Sequence, residues 1–257
     1  MEKSFDMEKS KSVRYGIIDA ARAVAVINMV AFHFVYDCFY FAGDSGSFIS
    51  DPAAIVWERF ICISFIVISG VSLNFTHRGY KRGLFVLICG GVVTAATYIF
   101  VPDLVIWFGV LSFFGCAMIL TYALRGLLNK VNMWVGMAVS LILFVLCYGI
   151  PQGYIGIFSY PLIHLPEGIY ELKWLAFLGF PHKGFFSADY FPILPWIFMF
   201  IFGYNLWRAV KRYGLDKHLV HNVPVLSFIG RHSLLIYMVH QPVLYGICWL
   251  VFTVFNH

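Results

Sequence analysis

The chain has 257 residues, of which 61% are hydrophobic and 12% charged, and it carries a formal net charge of +5. Apolar runs repeatedly reach or approach the ~20 residues that a bilayer crossing requires, which excludes an ordinary water-soluble domain and predicts an all-α polytopic membrane protein. The positive charge needs no nucleic-acid partner, because membrane orientation and attraction to anionic lipid headgroups account for the basic residues.

In chain order, residues 1–13 are polar, of mixed charge, and read as a cytoplasmic N-terminal tail without a cleavable signal. Residues 14–257 read as one transmembrane domain, since no repeat, heptad or low-complexity stretch divides them. Seven helices are predicted, over 16–40, 55–76, 82–101, 104–124, 133–150, 190–210 and 232–255. Between the fifth and sixth lies a long outer loop, 151–189. It is rich in proline and aromatic residues, and a short amphipathic piece over Gly168 to Leu178 makes it a candidate lid.

Loop charges orient these spans. Fourteen of the eighteen Lys and Arg residues fall before span one or in the loops joining two to three, four to five and six to seven. Because basic residues accumulate on the cytoplasmic side, the N-terminus is expected inside and the C-terminus outside. The six cysteines are spread singly and form no CxxC pair, so they read as buried small hydrophobes and no metal site is expected. His218, His221 and His257 lie in loops or at the terminus, and His77 belongs to a basic interfacial loop.

Span one holds the chemistry. Asp19, Arg22, His33 and Asp37 lie in or near an apolar stretch, where ionisable groups are costly and usually functional. At 100° per residue Arg22 and His33 lie within about 20° of one face, and both aspartates lie about 40° from His33. With Arg14 at the inner edge, the helical rise puts Arg22 about 12 Å deep and His33 about 28 Å deep, towards the outer surface. An always-charged guanidinium suits an anion reaching in from the cytoplasm, or an ion pair with Asp19 that merely helps helices assemble. His33 and Asp37 are spaced i,i+4, so the carboxylate can orient the imidazole as a general base requires. A helix-packing histidine is the plainer alternative. On span seven, Ser233, Tyr237, His240 and Gln241 share a narrow face, with Pro242 next in sequence expected to kink the helix. Asp189 stands before a proline-opened span six, on the same outer side as His33.

These residues carry a resemblance. Arg22, within Ile18-Asp-Ala-Ala-Arg-Ala-Val-Ala-Val, and His33, after ten intervening residues, resemble the first-helix signature of acyltransferase-3 type membrane acyltransferases. The stretches Phe65-Ile-Val-Ile-Ser-Gly-Val-Ser, Asp189-Tyr-Phe-Pro-Ile-Leu-Pro-Trp and Gly230-Arg-His-Ser-Leu-Leu-Ile-Tyr-Met-Val-His-Gln-Pro are similar to bacterial relatives of the catalytic domain of heparan-alpha-glucosaminide N-acetyltransferase. The likeness spans nearly all of residues 14–255. It implies a multi-pass protein of the bacterial cytoplasmic membrane that moves an acetyl group from cytoplasmic acetyl-CoA to an amino sugar or glycan acceptor outside. His33 would be general base or acyl acceptor, with Asp37, Asp189 and His240 beside it. Arg22, Arg78, Lys81, Arg82, Arg231 and His232 would hold the CoA phosphates and pantetheine. The family's lumenal-loop histidine has no counterpart in 41–56, which contains no histidine, so the heparan acceptor is not carried over. A proton-coupled transporter using the Asp19/Arg22/His33 stripe is the competing class, and a scaffold is a third. Small residues at Gly90, Gly91, Ala95 and Ala96 permit close packing within the chain or in a homo-oligomer.

Overall fold

A computed structural model describes residues 14–254; the expected tail 1–13 and residues 255–257, including His257, lie outside the described residues. The long helices are α1 (Gly16–Phe41), α3 (Pro52–Leu73), α4 (Gly79–Phe100), α5 (Val110–Leu128), α6 (Met133–Cys147), α7 (Ile193–Arg212) and α9 (Ser233–Val254), with short helices α2 (Ser45–Ser50) and α8 (Pro224–Arg231). Seven helical segments are long and apolar enough to cross a membrane, the fifth only when α6 is extended through Gln152, so the chain is an all-α polytopic membrane protein.

Local chemistry explains several boundaries. Asp51 accepts the Ala53 N–H at 2.6 Å and Pro52 opens α3, a capped start in which proline sacrifices no helical hydrogen bond. Asn132 caps α6 through the Trp134 N–H. At the other end of α5, Arg208 donates to the carbonyls of Leu128, Asn129 and Val131, satisfying groups that a helix terminus leaves unpaired.

The core lies between α3, α5 and α7, around the fully buried Ile66, Phe113 and Phe200. α3 and α7 cross where Gly70 meets the Phe200 carbonyl and Gly203 meets the Val67 carbonyl, an approach that leaves no room for a Cβ at either position. On one side α4 and α5 form an antiparallel hairpin, with Gly90 against Ser112 and Gly79 against Tyr122. On the other, α1 packs against α3, α8 and α9.

Two expectations need revision. The fourth span begins at Val110 and not at 104, because Trp107 is tied through its N–H and C=O to Ser187 Oγ and Phe191 donates to the Phe108 carbonyl, holding 105–108 as an irregular strap. The long outer loop contains an antiparallel hairpin, β1 (Tyr154–Ile157) and β2 (Tyr160–His164), and its expected amphipathic piece is two 3₁₀ turns. Those turns are pinned from below, where the Tyr170 hydroxyl donates to the Ile150 carbonyl and the Tyr190 hydroxyl to the Ala176 carbonyl. Ahead of the last span, α9, the short helix α8 lies along the first turns of α1, where Gly230 sits on the Asp19 carbonyl and a Cβ would collide. His232 (φ −98°, ψ 13°) separates α8 from α9.

Candidate functional site

α1 runs parallel to α8–α9 and antiparallel to α3. Its successive polar residues therefore meet different partners at different depths. At the inner end Arg22 donates to Asp19 Oδ1 at 2.9 Å, to Ser72 Oγ at 2.7 Å and to the Gly230 carbonyl at 3.4 Å. Asp19 accepts a second cation, Arg14, at 3.0 Å. The Arg22 and Asp19 side chains are only 16% and 12% exposed, so this is an enclosed ion pair with its remaining hydrogen-bond capacity largely met. Arg82, at the start of α4, donates to Thr76 Oγ1 at 3.3 Å and lies within Coulombic reach of Asp19 and Arg22. With two guanidinium groups on one carboxylate and a third nearby, this end of α1 is net positive.

The other expected donor-site residues are dispersed. Arg78 and Lys81 are exposed at the beginning of α4. Arg231 turns back along its own helix, with Nε on the Ser227 carbonyl at 3.0 Å and its guanidinium 5.9 Å from the Phe228 ring. His232 Nδ1 lies 2.8 Å from the Phe228 carbonyl. These two serve the helix break more directly than they face Arg22.

Eleven residues along α1, about 16 Å by helical rise, the surroundings change. The His33 and His240 rings face each other with centroids 4.9 Å apart. One turn on, Gln241 Nε2 donates to Asp37 Oδ1 at 2.9 Å. Asp37 is 1% exposed and His240 8%. The expected direct His33–Asp37 hydrogen bond is not made among the described residues, because the Asp37 carboxylate is turned across to α9. His240 Nδ1 sits 2.7 Å from the Tyr237 carbonyl, which requires the proton on Nδ1 and leaves Nε2 with its lone pair. Among the described residues, Asp37 Oδ2, His240 Nε2 and Gln241 Oε1 are buried without a hydrogen-bond partner. Buried polar atoms are almost always paired, so three such acceptors at one helix contact set this contact apart from the apolar packing around it.

Asp189 joins the site indirectly. Its Oδ2 accepts the Val110 N–H at 3.2 Å and the Tyr237 hydroxyl at 3.3 Å, so it caps α5 rather than opening α7. Desolvation pushes its carboxyl up to about 6, opposed by those two hydrogen bonds and reinforced by the negative charge of Glu58. Tyr237 connects Asp189, through its hydroxyl, with His240, through its carbonyl.

Several participants were not singled out from sequence. Ser72 was quoted only within a motif, yet it is Arg22's shortest partner. Asn28, between the two polar ends of α1, accepts from Trp57 Nε1 at 3.1 Å and ties α1 to α3. Glu58 pairs with Arg59 at 3.0 Å and receives the Cys62 thiol at 3.7 Å, placing an acid near Asp189. A polar residue every four positions at the outer end of an otherwise apolar span was the available signal for Glu58 and Cys62. Pro242 lies inside α9 without ending it. A larger groove of about 600 Å³ between α4 and α5, lined by Leu87, Gly91, Ala95 and Tyr98, is apolar and holds none of these groups.

No curated protein and no solved structure matches the chain. A family model described as heparan-alpha-glucosaminide N-acetyltransferase, catalytic, matches residues 14–242, which includes both polar ends of α1, Asp189, α8 and the first ten residues of α9. With that match covering most of the chain, this seven-span membrane protein belongs to the heparan-alpha-glucosaminide N-acetyltransferase catalytic-domain family, a family of membrane acetyltransferases.

Proposed function

We propose that the protein moves an acetyl group from cytoplasmic acetyl-CoA to an amino sugar or other glycan acceptor at the outer face of a bacterial cytoplasmic membrane. Residues 14–257 act as a single unit, with the N-terminus inside and the C-terminus outside. The observation that carries this reading is the facing His33–His240 pair with the unpartnered Asp37 Oδ2, His240 Nε2 and Gln241 Oε1 beside it. These atoms accept hydrogen bonds, and an acceptor amine or hydroxyl supplies the missing donors.

His33 takes the proton as the acceptor's nitrogen or oxygen attacks the thioester carbonyl. The new bond to the acetyl carbon forms, the C–S bond breaks, and the proton passes to the departing CoA thiolate. In the two-step alternative His33 itself carries the acetyl group before the acceptor arrives. Asp37 and Gln241 hold the acceptor, while Tyr237 and Asp189 fix the His240 side of the site. The donor's pyrophosphate is met by Arg22 and Arg82, with Arg78 and Lys81 adding positive potential at the inner face and Arg231 and His232 at the helix break. The ~16 Å between Arg22 and His33 is of the order of an extended pantetheine arm.

The test is mass spectrometry of purified protein incubated with acetyl-CoA and a panel of amino sugars, beside His33→Ala. Acetylated sugar from wild type alone supports the reading. A protein mass increased by one acetyl group without acceptor marks the two-step route, and no product with no CoA binding overturns the proposal. Alkylation of single cysteines introduced at 44 and 216, from the two sides of sealed vesicles, tests the orientation.

A further inference from the structure

Beyond Asp37 the last turns of α1 and α9 stay packed on each other. After the Asp37–Gln241 hydrogen bond, the Phe41 ring lies 5.0 Å from Tyr245 and 5.9 Å from Phe252, and the Tyr40 ring lies 6.3 Å from Tyr245. Gln241, Tyr245, Cys248 and Phe252 follow one another at the alternating four- and three-residue spacing of a single helix face, so Cys248 belongs to this seam. It is 2% exposed. On α1 the thiol that meets it is Cys38, the residue after Asp37, and the two side chains lie within hydrogen-bonding reach of each other. Cys38 is partly exposed, whereas Cys248 is buried. The other four cysteines lie one each on α3, α4, α5 and α6.

We propose that Cys38 and Cys248 form a reversible disulfide that latches α1 to α9 beside the Asp37–Gln241 contact and closes the acceptor's way in. Cys38, the more exposed of the two, reacts first. Its thiolate attacks one sulfur of a disulfide oxidant, that S–S bond breaks, and one oxidant thiol leaves a mixed disulfide on Cys38. The Cys248 thiolate then attacks the Cys38 sulfur and the second oxidant thiol leaves. Two protein thiols are oxidised as one disulfide is reduced, and both protons end on the released thiols. The direct route from the outer face to His33 passes between these helix ends and must part the Phe41, Tyr245 and Phe252 rings. A covalent bond one residue from Asp37 holds them together. Disulfides persist outside the cytoplasm, so the outer end of α1 is where such a latch survives. The latch's sidedness and its effect on transfer rest on the orientation and the acetyl-transfer reading above; the bond itself does not.

The test is oxidation of the full chain in nanodiscs with glutathione disulfide, using wild type, Cys38→Ser, Cys248→Ser and, as a control on another helix, Cys89→Ser. Peptide mass spectrometry should find a Cys38–Cys248 cross-linked peptide in wild type and Cys89→Ser and none in the other two. Acetyl transfer by oxidised wild type should fall by about tenfold or more and return with dithiothreitol, whereas oxidation should change Cys38→Ser and Cys248→Ser by less than about twofold. Active protein that forms no cross-link, or that stops at a glutathione adduct on Cys38, overturns the proposal while leaving the acetyl-transfer reading standing. Cross-linked protein that transfers at the full rate overturns the latch and leaves only the bond. Reduced wild type that makes no acetylated sugar overturns the acetyl-transfer reading and the latch's effect with it, and the cross-linked peptide then decides the bond separately.

Discussion

The Arg22 end of α1 surrounds its charges with partners, whereas at the His33 end several buried polar atoms have none among the described residues. Around Arg22 and Asp19 there are a second arginine, a serine hydroxyl and a backbone carbonyl freed by the break between α8 and α9. Around His33 and Asp37 there are three orphaned acceptor atoms and a second histidine. In a low-dielectric interior the first arrangement holds helices in register, and the second is where the proposed acceptor finds its hydrogen-bond partners. On the proposed reading the same helix joins its neighbours and meets the donor's pyrophosphate at one end, and meets the acceptor at the other.

The largest expected effect separates them most sharply. His33→Ala should cut acetyl transfer by about 100- to 10,000-fold, the usual worth of a positioned base, with little change in the thermal unfolding midpoint. Unchanged turnover would remove His33 from the chemistry.

Arg22→Ala should act on stability as well as on donor binding. It leaves Asp19 enclosed with Arg14 as its one hydrogen-bonded cation among the described residues, and should destabilise the protein by about 3 kcal/mol. Arg22→Lys keeps the charge but loses the fork that spans Asp19, Ser72 and the Gly230 carbonyl, and should recover less than half of that loss. Thermal unfolding in detergent checks both. A fully stable Arg22→Ala variant would make the inner end a binding site only.

Asp37→Asn preserves shape and the capacity to pair with Gln241 while removing the charge. It should lower kcat/KM for the acceptor by about 10- to 100-fold, through a higher acceptor KM. A loss confined to the donor KM would contradict the placement of the acceptor.

Asp189 gives a smaller, pH-dependent effect. Its carboxyl ionises at about 6 in the folded chain, above its ordinary value of 3.8. The favourable contribution is therefore complete below about pH 4 and is lost as pH rises through 6. Asp189→Asn keeps an acceptor for the Val110 N–H and the Tyr237 hydroxyl and should flatten this dependence, with a gain of roughly 2 kcal/mol at pH 8. Unfolding midpoints measured from pH 5 to 8 would show it, and parallel curves for the two proteins would contradict it. Smallest of all, Lys183→Ala should leave stability and activity unchanged, because the Lys183–Glu167 pair is 94% and 87% exposed.

The number and place of the spans were legible because hydropathy is a one-dimensional signal. The seven spans agree with the helices to within a few residues except where long-range contacts intervene. The 105–108 strap depends on Ser187 and Phe191, some eighty residues away, and no local propensity announces it. The β1–β2 hairpin escaped notice for another reason: its residues are too mixed with proline and aromatics to show a period of two.

For the site, the α1 stripe was readable from helical periodicity alone, as was the shared polar face of α9. Sequence by itself therefore determined a seven-span helical protein with ionisable residues at two depths of its first helix, since length, hydropathy and a 100° turn per residue suffice. Tertiary structure decided which groups pair. It turned Asp37 towards Gln241 and away from His33, used Asp189 to cap α5, and packed Gly230 of α8 onto the Asp19 carbonyl. Those outcomes follow from helix register and close approach, which depend on side chains distant in sequence and only become defined when the bundle closes.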